Sequence, residues 1–221
     1  MENRPAVSLV NVRYAYPRDR AFSLEVTGLS FSVGECTAIC GHNGSGKTTL
    51  GKLAAGLLRP LRGSVLLENE DIAGWPLGKI GGRIGYLFQE PSRQIFAPTV
   101  LEEITFPLVL KGMEEERAAE LARAMLARFE MEPLENAVTF TLSRGEKQRL
   151  AIVAMLVTKP GFLVLDEPTT GLDARRKGIL GAMLRQLLEQ NVGILLISHD
   201  TAFVEEYASG VHRMAEGKVL T

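Results

Sequence analysis

The stretch Gly41-His42-Asn43-Gly44-Ser45-Gly46-Lys47-Thr48 fits the pattern G-x-x-x-x-G-K-[ST] and lies between two apolar runs. The run before it predicts a buried strand, and the run from Thr49 onward predicts a helix. In this setting the pattern binds phosphate, because successive backbone N–H groups of the glycine-rich loop point at the anion. Lys47 is expected to reach the β- and γ-phosphates, and the Thr48 hydroxyl to ligate Mg²⁺. The sequence therefore predicts a nucleoside triphosphate site formed by residues 41–49.

Length, charge and cysteine content narrow the classes of protein that fit. A chain of 221 residues can hold one substantial α/β core, and its formal net charge of −1 argues against nucleic acid as a partner. Cys36 and Cys40 lie four residues apart in a predicted strand, too far apart for a disulfide, which favours a reducing compartment. The N-terminus lacks the apolar core of a signal peptide, and no apolar run approaches the roughly 18 residues that suggest a membrane span. We expect a protein that is cytosolic, or peripheral through a partner.

Apolar runs along the chain indicate a mixed sheet. They predict strands at residues 7–14, 22–33, 64–68 and 84–88. The run 22–33 is interrupted near Thr27-Gly28 and predicts either one strand or two. In the last third of the chain, predicted helices at 146–159 and 175–190 alternate with predicted strands at 162–165 and 193–197. Such alternation is typical of a parallel sheet covered on both faces.

A helical block interrupts this pattern. Residues 114–129 place Leu121, Met125 and Phe129 at a spacing of four, which predicts an amphipathic helix in a block bounded by Pro107 and Pro133. We therefore predict one α/β domain over residues 1–221, with a phosphate-loop (RecA-like) parallel-sheet core and an antiparallel β subdomain at residues 1–90 and 146–221. An inserted α-helical subdomain is predicted at residues 91–145.

Two acids follow a second apolar strand. Asp166 and Glu167 end the run Phe162-Leu163-Val164-Leu165. A carboxylate at the carboxyl end of such a strand lies beside the phosphate loop in this architecture, so Asp166 is expected to hold the water shell of Mg²⁺. Glu167 points elsewhere and is expected to polarise an attacking water. Taken alone, the pair also fits an acidic turn without chemistry, but the motifs that follow argue against that alternative.

The order of motifs resembles the ATP-binding cassette (ABC) ATPases. These motifs are the phosphate loop, Phe88-Gln89, Leu142-Ser143-Arg144-Gly145-Glu146, Leu165-Asp166-Glu167-Pro168, Gly171-Leu172-Asp173 and Ser198-His199-Asp200. The resemblance runs from Tyr16 to His199. It implies that Tyr16 stacks on adenine, and that Gln89 contacts Mg²⁺ and the attacking water while sensing a transmembrane partner. It also implies that His199 contacts the γ-phosphate and that Asp173 crosses a dimer interface.

The signature segment departs from the family pattern. The family sequence is usually LSGGQ, whereas this chain has Leu142-Ser143-Arg144-Gly145-Glu146. The resemblance implies that Ser143 and Gly145 cap the γ-phosphate of an ATP held by the opposite subunit. Arg144 replaces a glycine and Glu146 a glutamine. A guanidinium near the phosphate could help electrostatically, or its bulk could weaken the contact, and we expect a working but altered signature.

The segment after Gln89 resembles one branch of the family. Phe88-Gln89-Glu90-Pro91-Ser92-Arg93-Gln94-Ile95-Phe96, followed by Thr99-Val100 and residues 102–106, resembles the FQ-x-P-x-x-Q-x-F…TV-x-E-x-x-F pattern of energy-coupling-factor ATPases. That resemblance implies ATP and Mg²⁺ as cofactors, and both a second ABC ATPase subunit and transmembrane transporter subunits as partners. It implies a position on the cytoplasmic side of the membrane and uptake of a vitamin or a transition-metal ion.

Other functions within and beyond the family stay open at this stage. The chain could serve another ABC importer or exporter, or a soluble ABC protein, although a soluble one would be expected to carry two cassettes or a long coiled coil. A phosphate-loop GTPase or kinase is a further class, but the chain has no N-K-x-D segment for guanine. The cargo, the direction of transport and the choice between homodimer and heterodimer are left open by the sequence.

The segment from Glu90 to Leu108 is richer in apolar residues than a free loop requires. These residues are Pro91, Ile95, Phe96, Pro98, Val100 and Phe106. A docking groove for a short helix of a membrane subunit would explain them, and ordinary packing of the helical block is the alternative.

Overall fold

The structure is a computed structural model that describes residues 5–17 and 19–220, with the backbone alone described for residues 19–21. It contains two compact units. The first, here called the core unit, comprises the described chain up to Tyr86, Pro160–Thr169 and the chain from Leu180 onward. The second, here called the helical unit, comprises Leu87–Lys159 and Thr170–Ile179.

One ten-stranded sheet runs through the described residues. Its strands in chain order are β1 (Pro5–Tyr16), β2 (Asp19–Ser32), β3 (Cys36–Cys40), β4 (Arg62–Leu67), β5 (Glu70–Asp71), β6 (Ile84–Leu87), β7 (Phe162–Asp166), β8 (Gly193–Ile197), β9 (Gly210–Ala215) and β10 (Lys218–Leu220). The order across the sheet is β5-β4-β1-β2-β10-β9-β3-β8-β7-β6. Strands β1, β2, β4 and β5 pair antiparallel, whereas β3 pairs parallel with β8 and β9, and β7 pairs parallel with β8.

The parallel centre of the sheet follows from the composition of its strands. Every residue of β7 and β8 is buried, as are the first four of β3, which agrees with their nearly continuous apolar sequences. Strands covered on both faces require such sequences, because neither side of the pleat meets water. By contrast, β1 changes from buried to alternating exposure along its length, as expected of an antiparallel strand with one solvated face. The predicted mixed α/β fold is confirmed.

Seven α-helices are described. They are α1 (Lys47–Ala54), α2 (Leu77–Gly81), α3 (Val100–Leu110), α4 (Glu115–Arg128), α5 (Arg144–Leu156), α6 (Ala174–Glu189) and α7 (Thr201–Tyr207). The helical unit contains α3, α4 and α5, together with the first turns of α6. Helix α4 buries Ala118, Ala122 and Leu126 at a spacing of four, which is the predicted amphipathic face shifted onto smaller residues.

The structure differs from the sequence-based boundaries in three places. The predicted break near Thr27-Gly28 is absent, because Gly28 pairs with Val10 within a continuous β2. Pro107 does not bound the helical block but lies inside α3, where the lost hydrogen bond is offset by a capping box at Thr99 and by the burial of Ile104 and Leu108. Helix α5, expected in the core, packs within the helical unit.

Gly193 at the start of β8 provides a test of packing at the sheet centre. A Cβ added there would lie 2.5 Å from the carbonyl oxygen of Ser32 and 2.8 Å from Cδ2 of Phe162. We expect Gly193→Ala to lower the free energy of unfolding by about 1–3 kcal/mol, as overpacked cores do, measured by urea denaturation.

Gly210→Ala is the matched control, since Gly210 also begins a strand and an added Cβ there meets nothing within 4 Å. That variant should stay within about 0.5 kcal/mol of the wild type. Equal stability of the two variants would contradict the tight packing at Gly193.

Candidate functional site

The loop between β3 and α1 is shaped by its glycines. A Cβ at Gly41 would lie 2.2 Å from the carbonyl oxygen of Met214 in β9, so a larger residue cannot fit without moving the backbone. Gly46, the N-cap of α1, has φ +104, a conformation that favours glycine. The Gly217 amide donates to the carbonyl of Ser45 at 2.9 Å. The β9–β10 hairpin therefore holds the loop from outside.

Lys47 lies over this loop. Its Nζ donates to the carbonyl oxygens of Gly41 at 2.8 Å and His42 at 2.9 Å, and the residue is buried. An ammonium group has three donors, so one remains for a phosphate oxygen in the loop. The buried hydroxyl of Ser45 has no hydrogen-bond partner among the described residues. Because an unpaired buried hydroxyl is costly, a bound anion that accepts its proton fits this loop.

Asp166 at the end of β7 is buried and only partly paired. Its Oδ2 accepts a hydrogen bond from the Tyr86 hydroxyl at 3.2 Å, whereas its buried Oδ1 has no partner among the described residues. Burial raises the pKa of the Asp166 carboxyl, and hydrogen bonds from Thr48 and Tyr86 oppose that rise. A carboxylate oxygen without a partner, beside the Thr48 hydroxyl, is the oxygen donor set that Mg²⁺ prefers when substrate phosphates and water supply its other ligands. The residues present fit this ion.

Glu167 and His199 form a direct pair. Glu167 has φ +55, which is strained for a residue with a side chain, and its amide donates to the carbonyl of Ile197 at 2.8 Å. Its Oε2 lies 2.7 Å from Nδ1 of His199 and accepts from the His199 amide at 3.4 Å. Glu167 is buried, but the His199 side chain is 74% exposed. The structure thus brings these two predicted catalytic residues together beside Asp166.

Tyr16 at the end of β1 contacts the beginning of α1. Its hydroxyl is 3.1 Å from Oγ1 of Thr49, and its ring packs edge-on against Tyr14 at a centroid distance of 5.0 Å. Phe22 lies on it at a tilt, with centroids 6.0 Å apart. Two aromatic neighbours thus contact the half-buried Tyr16 ring, and its stacking on adenine stays a prediction.

Gln89 follows β6 in the helical unit and is exposed. The segment after it is ordered by two side chains that bind backbone. Oε1 of Gln94 accepts from the Phe88 amide at 3.0 Å, and the buried Glu103 carboxylate accepts from the amides of Phe96 at 2.9 Å and Ala97 at 2.7 Å. The proposed roles of Gln89 with Mg²⁺ and water stay predictions.

The apolar residues of this segment divide into two sets. Pro91 and Val100 are buried, which for these two favours the alternative of ordinary packing, whereas Ile95 is half-buried and Pro98 is exposed. Phe96 is 64% exposed and packs edge-on against the exposed Phe106 with centroids 4.8 Å apart. The Phe96–Phe106 pair therefore remains as the candidate docking surface.

The signature segment caps α5. The Ser143 hydroxyl and amide each lie 2.7 Å from Oε2 of Glu146, which completes a capping box. Gly145 is packed closely, because an added Cβ would lie 3.2 Å from the carbonyl oxygen of Gly171. Farther along, Oδ1 of the exposed Asp173 accepts from the backbone amide of residue 176 at 2.9 Å and so caps α6.

Two residues that position site groups, Tyr86 and Glu103, were not predicted from the sequence. Tyr86 donates to Asp166 across 80 residues of sequence, and burial raises the pKa of its hydroxyl, so it remains a neutral donor. Glu103 reads in the sequence as a surface acid on a helix, yet it is buried and holds the loop that carries Phe96. The bond of Tyr86 to Asp166 joins two strands that lie far apart in sequence, and the burial of Glu103 depends on how the preceding loop folds back on α3, so neither could be inferred from its position alone.

The described residues place two limits on other sites. None of their His, Cys, Asp and Glu side chains gather in threes to hold a metal ion. No helix among them is long and apolar enough to cross a membrane.

Comparison with known proteins gives a consistent picture. The profile of the ABC transporter family matches residues 24–170. A protein of Pyrococcus horikoshii named as an ABC transporter ATP-binding protein is 40% identical over 192 residues, covering 86% of this chain and 74% of its own length. Another of Caldanaerobacter subterraneus subsp. tengcongensis is 40% identical over 209 residues, or 95% of this chain. The chain spans only 37% of the length of that relative.

Solved structures agree in fold. CbiO1 of Clostridium perfringens, described as part of the ABC transporter complex cbiONQ, is 32% identical with a TM-score of 0.85 and covers 100% of this chain and 88% of its own. The ATP-binding cassette MJ0796, solved as a dimer bound to ADP and Pi, is 26% identical with a TM-score of 0.89 and covers 97% of both chains.

The buried Asp166 carboxylate should lower the stability of the free protein. We expect Asp166→Asn to raise the melting temperature at neutral pH, because the variant removes the free-energy cost of burying a charge. Each kcal/mol gained in the free energy of unfolding corresponds to about 2–4 °C in a chain of this size. The raised pKa means that the folded state binds the Asp166 proton more tightly than the unfolded chain. Wild-type stability therefore falls as pH rises through that pKa, and the advantage of the variant should shrink toward acid pH.

Asp71→Asn is the control, because Asp71 is exposed and its bond to the Ala73 amide can be kept by an amide oxygen. Thermal unfolding at several pH values would measure both variants. A lower melting temperature for Asp166→Asn at neutral pH would contradict the cost of burying this charge.

Proposed function

The chain belongs to the ABC transporter family as an ATP-hydrolysing nucleotide-binding cassette, and from that premise we propose that it powers a membrane transporter of the energy-coupling-factor type. The observation that carries the catalytic part is the Glu167–His199 pair beside Asp166. The segment after Gln89 and the likeness to CbiO1 support the transporter class. The cargo would be a vitamin or a transition-metal ion, and the chain would lie at the cytoplasmic side of the membrane, bound through transmembrane subunits.

In this proposal residues 41–49 bind the triphosphate of ATP. Lys47 turns its free donor toward the β- and γ-phosphates, and the loop amides bind the oxygens around it. Thr48 and Asp166 are the residues that would hold Mg²⁺, with Gln89 as the third proposed contact. When bound, Mg²⁺ neutralises charge that develops on the phosphates during transfer. Tyr16 would place the adenine.

Glu167 then acts on the attacking water. Its carboxylate is buried, which limits solvation of the base, and His199 keeps Oε2 oriented through Nδ1 at 2.7 Å. With Nδ1 donating to Glu167, the exposed imidazole of His199 can donate to the γ-phosphate through Nε2 when both ring nitrogens carry a proton. Glu167 thus orients the water, and His199 binds the phosphoryl group that is transferred.

The second ATPase subunit completes the site. Ser143, Arg144, Gly145 and Glu146 are proposed to face the nucleotide of the partner, and Asp173 to lie at the dimer interface. ATP should therefore drive dimerisation, and the steady-state rate should rise faster than linearly with protein concentration. The partner would be either a second copy of this chain or a homologous cassette.

The catalytic assignment is tested by Glu167→Gln. Because the amide cannot accept a proton from water, we expect turnover to fall by about 10²-fold or more while ATP affinity is kept and the ATP-bound dimer accumulates. Single-turnover hydrolysis and light scattering measure these quantities. Glu205→Gln is the control, since Glu205 is exposed on α7 and should leave turnover unchanged. Wild-type turnover in Glu167→Gln would remove Glu167 from the mechanism.

Coupling to the membrane is tested at Phe96. A charge on this exposed ring should abolish co-purification with the transmembrane subunits, and transport with it, because an apolar docking contact cannot accommodate an unpaired carboxylate. Since the side chain is 64% exposed, Phe96→Asp should retain the wild-type melting temperature and ATP binding.

Leu77→Asp is the matched control, because Leu77 is also 64% exposed but lies on α2 of the core unit. It should leave transport intact. If Phe96→Asp transports normally, the cassette couples through another surface.

A further inference from the structure

Glu103 is a buried acid to which the catalytic scheme gives no role. It lies in the first turn of α3, and only 4% of the residue is exposed. Among the residues that the structure describes, its carboxylate forms no ion pair. Burying a carboxylate costs free energy unless hydrogen bonds offset the cost, and a neutral side chain would avoid it. A residue that breaks this rule indicates a functional position.

The hydrogen bonds of Glu103 show what the acid holds. Its Oε2 accepts from the backbone amides of Phe96 at 2.9 Å and Ala97 at 2.7 Å. Because the side chains of a helix lean toward its N-terminus, a glutamate in the first turn can reach the segment before the helix. The preceding Glu102 reaches only to Thr99, where it completes the capping box of α3. Of these two successive acids, Glu103 is therefore the one that binds the loop carrying Phe96.

Phe96 is held on α3 at two points that lie one turn apart. Its backbone amide is bonded to Glu103, and its ring packs edge-on against Phe106 at a centroid distance of 4.8 Å. Residues 103 and 106 are three apart on the helix and so share one face. The Phe96 ring nevertheless stays 64% exposed. An exposed aromatic ring whose backbone and ring are both fixed has the properties of an interface anchor.

Thr139 fastens the same loop from its other side. The Thr139 hydroxyl donates to the carbonyl oxygen of Ala97 at 2.6 Å, and the Thr139 amide donates to the carbonyl oxygen of Pro98 at 2.9 Å. These bonds act one and two residues beyond Phe96. Among the described residues, Glu103 alone binds the amide of Phe96 itself. Loss of the Glu103 acceptor would therefore release the loop at the residue that carries the exposed ring.

We propose that Glu103 is a positioning residue for membrane coupling, whose carboxylate fixes the Phe96 ring in the direction in which a transmembrane subunit binds it. This inference rests on the docking surface proposed above. A ring that is already ordered loses little conformational freedom on binding, so ordering it does not weaken docking. Releasing the two amides should weaken docking although Glu103 is buried and does not itself contact the partner.

Three variants of Glu103 separate the reach of the side chain from its charge. Glu103→Gln keeps an acceptor oxygen at the same reach without the charge, whereas Glu103→Asp keeps the charge but is one methylene shorter. Glu103→Leu fills the space and removes both acceptor and charge. Amide hydrogen exchange of the purified cassette reports the bonds to Phe96 and Ala97. We expect both amides to stay protected in Glu103→Gln and to exchange faster in the other two variants.

Docking is then measured by titrating a labelled cassette with the purified transmembrane subunits in detergent micelles. Glu103→Leu and Glu103→Asp should bind about threefold to tenfold more weakly, which is the cost of ordering one side chain on binding. Glu103→Gln should stay within about twofold of the wild type, since its oxygen still holds the loop. Glu116→Leu is the control, because Glu116 is an exposed acid in the first turn of α4, and it should bind as the wild type does.

A double-mutant cycle with Phe96→Ala tests whether Glu103 acts through Phe96. Phe96→Ala should weaken docking by about tenfold or more, as the loss of an aromatic anchor does. Adding Glu103→Leu to Phe96→Ala should then weaken docking no further, because no ring remains to be positioned. Additive effects would overturn the inference. Wild-type docking by a Glu103→Leu variant whose two amides exchange faster would overturn it as well.

Failure of the docking surface itself gives a different pattern. If Phe96→Ala binds the transmembrane subunits as tightly as the wild type, both the proposed surface and this inference are wrong. If Phe96→Ala weakens docking and Glu103→Leu does not, only the inference fails. If Glu103→Asp matches the wild type while Glu103→Gln matches Glu103→Leu, charge matters rather than reach, and the positioning role is wrong. Melting temperatures identify any loss of folding, and Glu103→Asp keeps the test decisive if Glu103→Leu unfolds.

Discussion

The parallel register of three central strands places every predicted catalytic group of the core unit at one edge of the sheet. Ile39 of β3 pairs with Ile197 of β8, and Ile197 pairs with Asp166 of β7. The phosphate loop leaves β3 just after this level, and the next residues of the other two strands lead to His199 and Glu167. A slip of one residue in either pairing would turn the side chains of that strand to the opposite face and separate the acids from the loop.

This edge is built at the expense of stability. Asp166 keeps a buried oxygen without a partner among the described residues, and Glu167 adopts a left-handed backbone conformation. Such strain persists only when surrounding structure fixes it, and here the fully buried β7 and β8 do so. The strongly apolar strand β7 therefore ends in two polar residues, Asp166 and Glu167, whose burial and backbone conformation are unfavourable. The buried residues just before them hold the strand in place, so the two acids stay fixed.

Much of this arrangement could be predicted from sequence because it is encoded locally. The strand at 193–197 and the α4 periodicity are confirmed to within a residue or two, since apolar pattern sets both. The phosphate loop and the acids after β7 carry motifs with a known geometry. Long-range pairing was beyond such reasoning: the bond from the Tyr86 hydroxyl to Asp166 and the pairing of β9 with β3 each join distant segments. Pro107 misled because its local preference was overruled by the packing of α3.

The hairpin of β9 and β10 acts on the phosphate loop from behind. The Gly217 amide donates to the Ser45 carbonyl, and the Gly217 carbonyl accepts from the Glu25 amide of β2 at 2.8 Å. The carbonyl oxygen of Met214 lies so close to Gly41 that a side chain there would not fit. A loop fastened in this way has few conformations left to lose when a ligand arrives. The phosphate loop already loses this conformational entropy when the protein folds, so ordering the loop does not weaken nucleotide binding. Preorganisation of the anion site thus depends on residues that never meet the nucleotide.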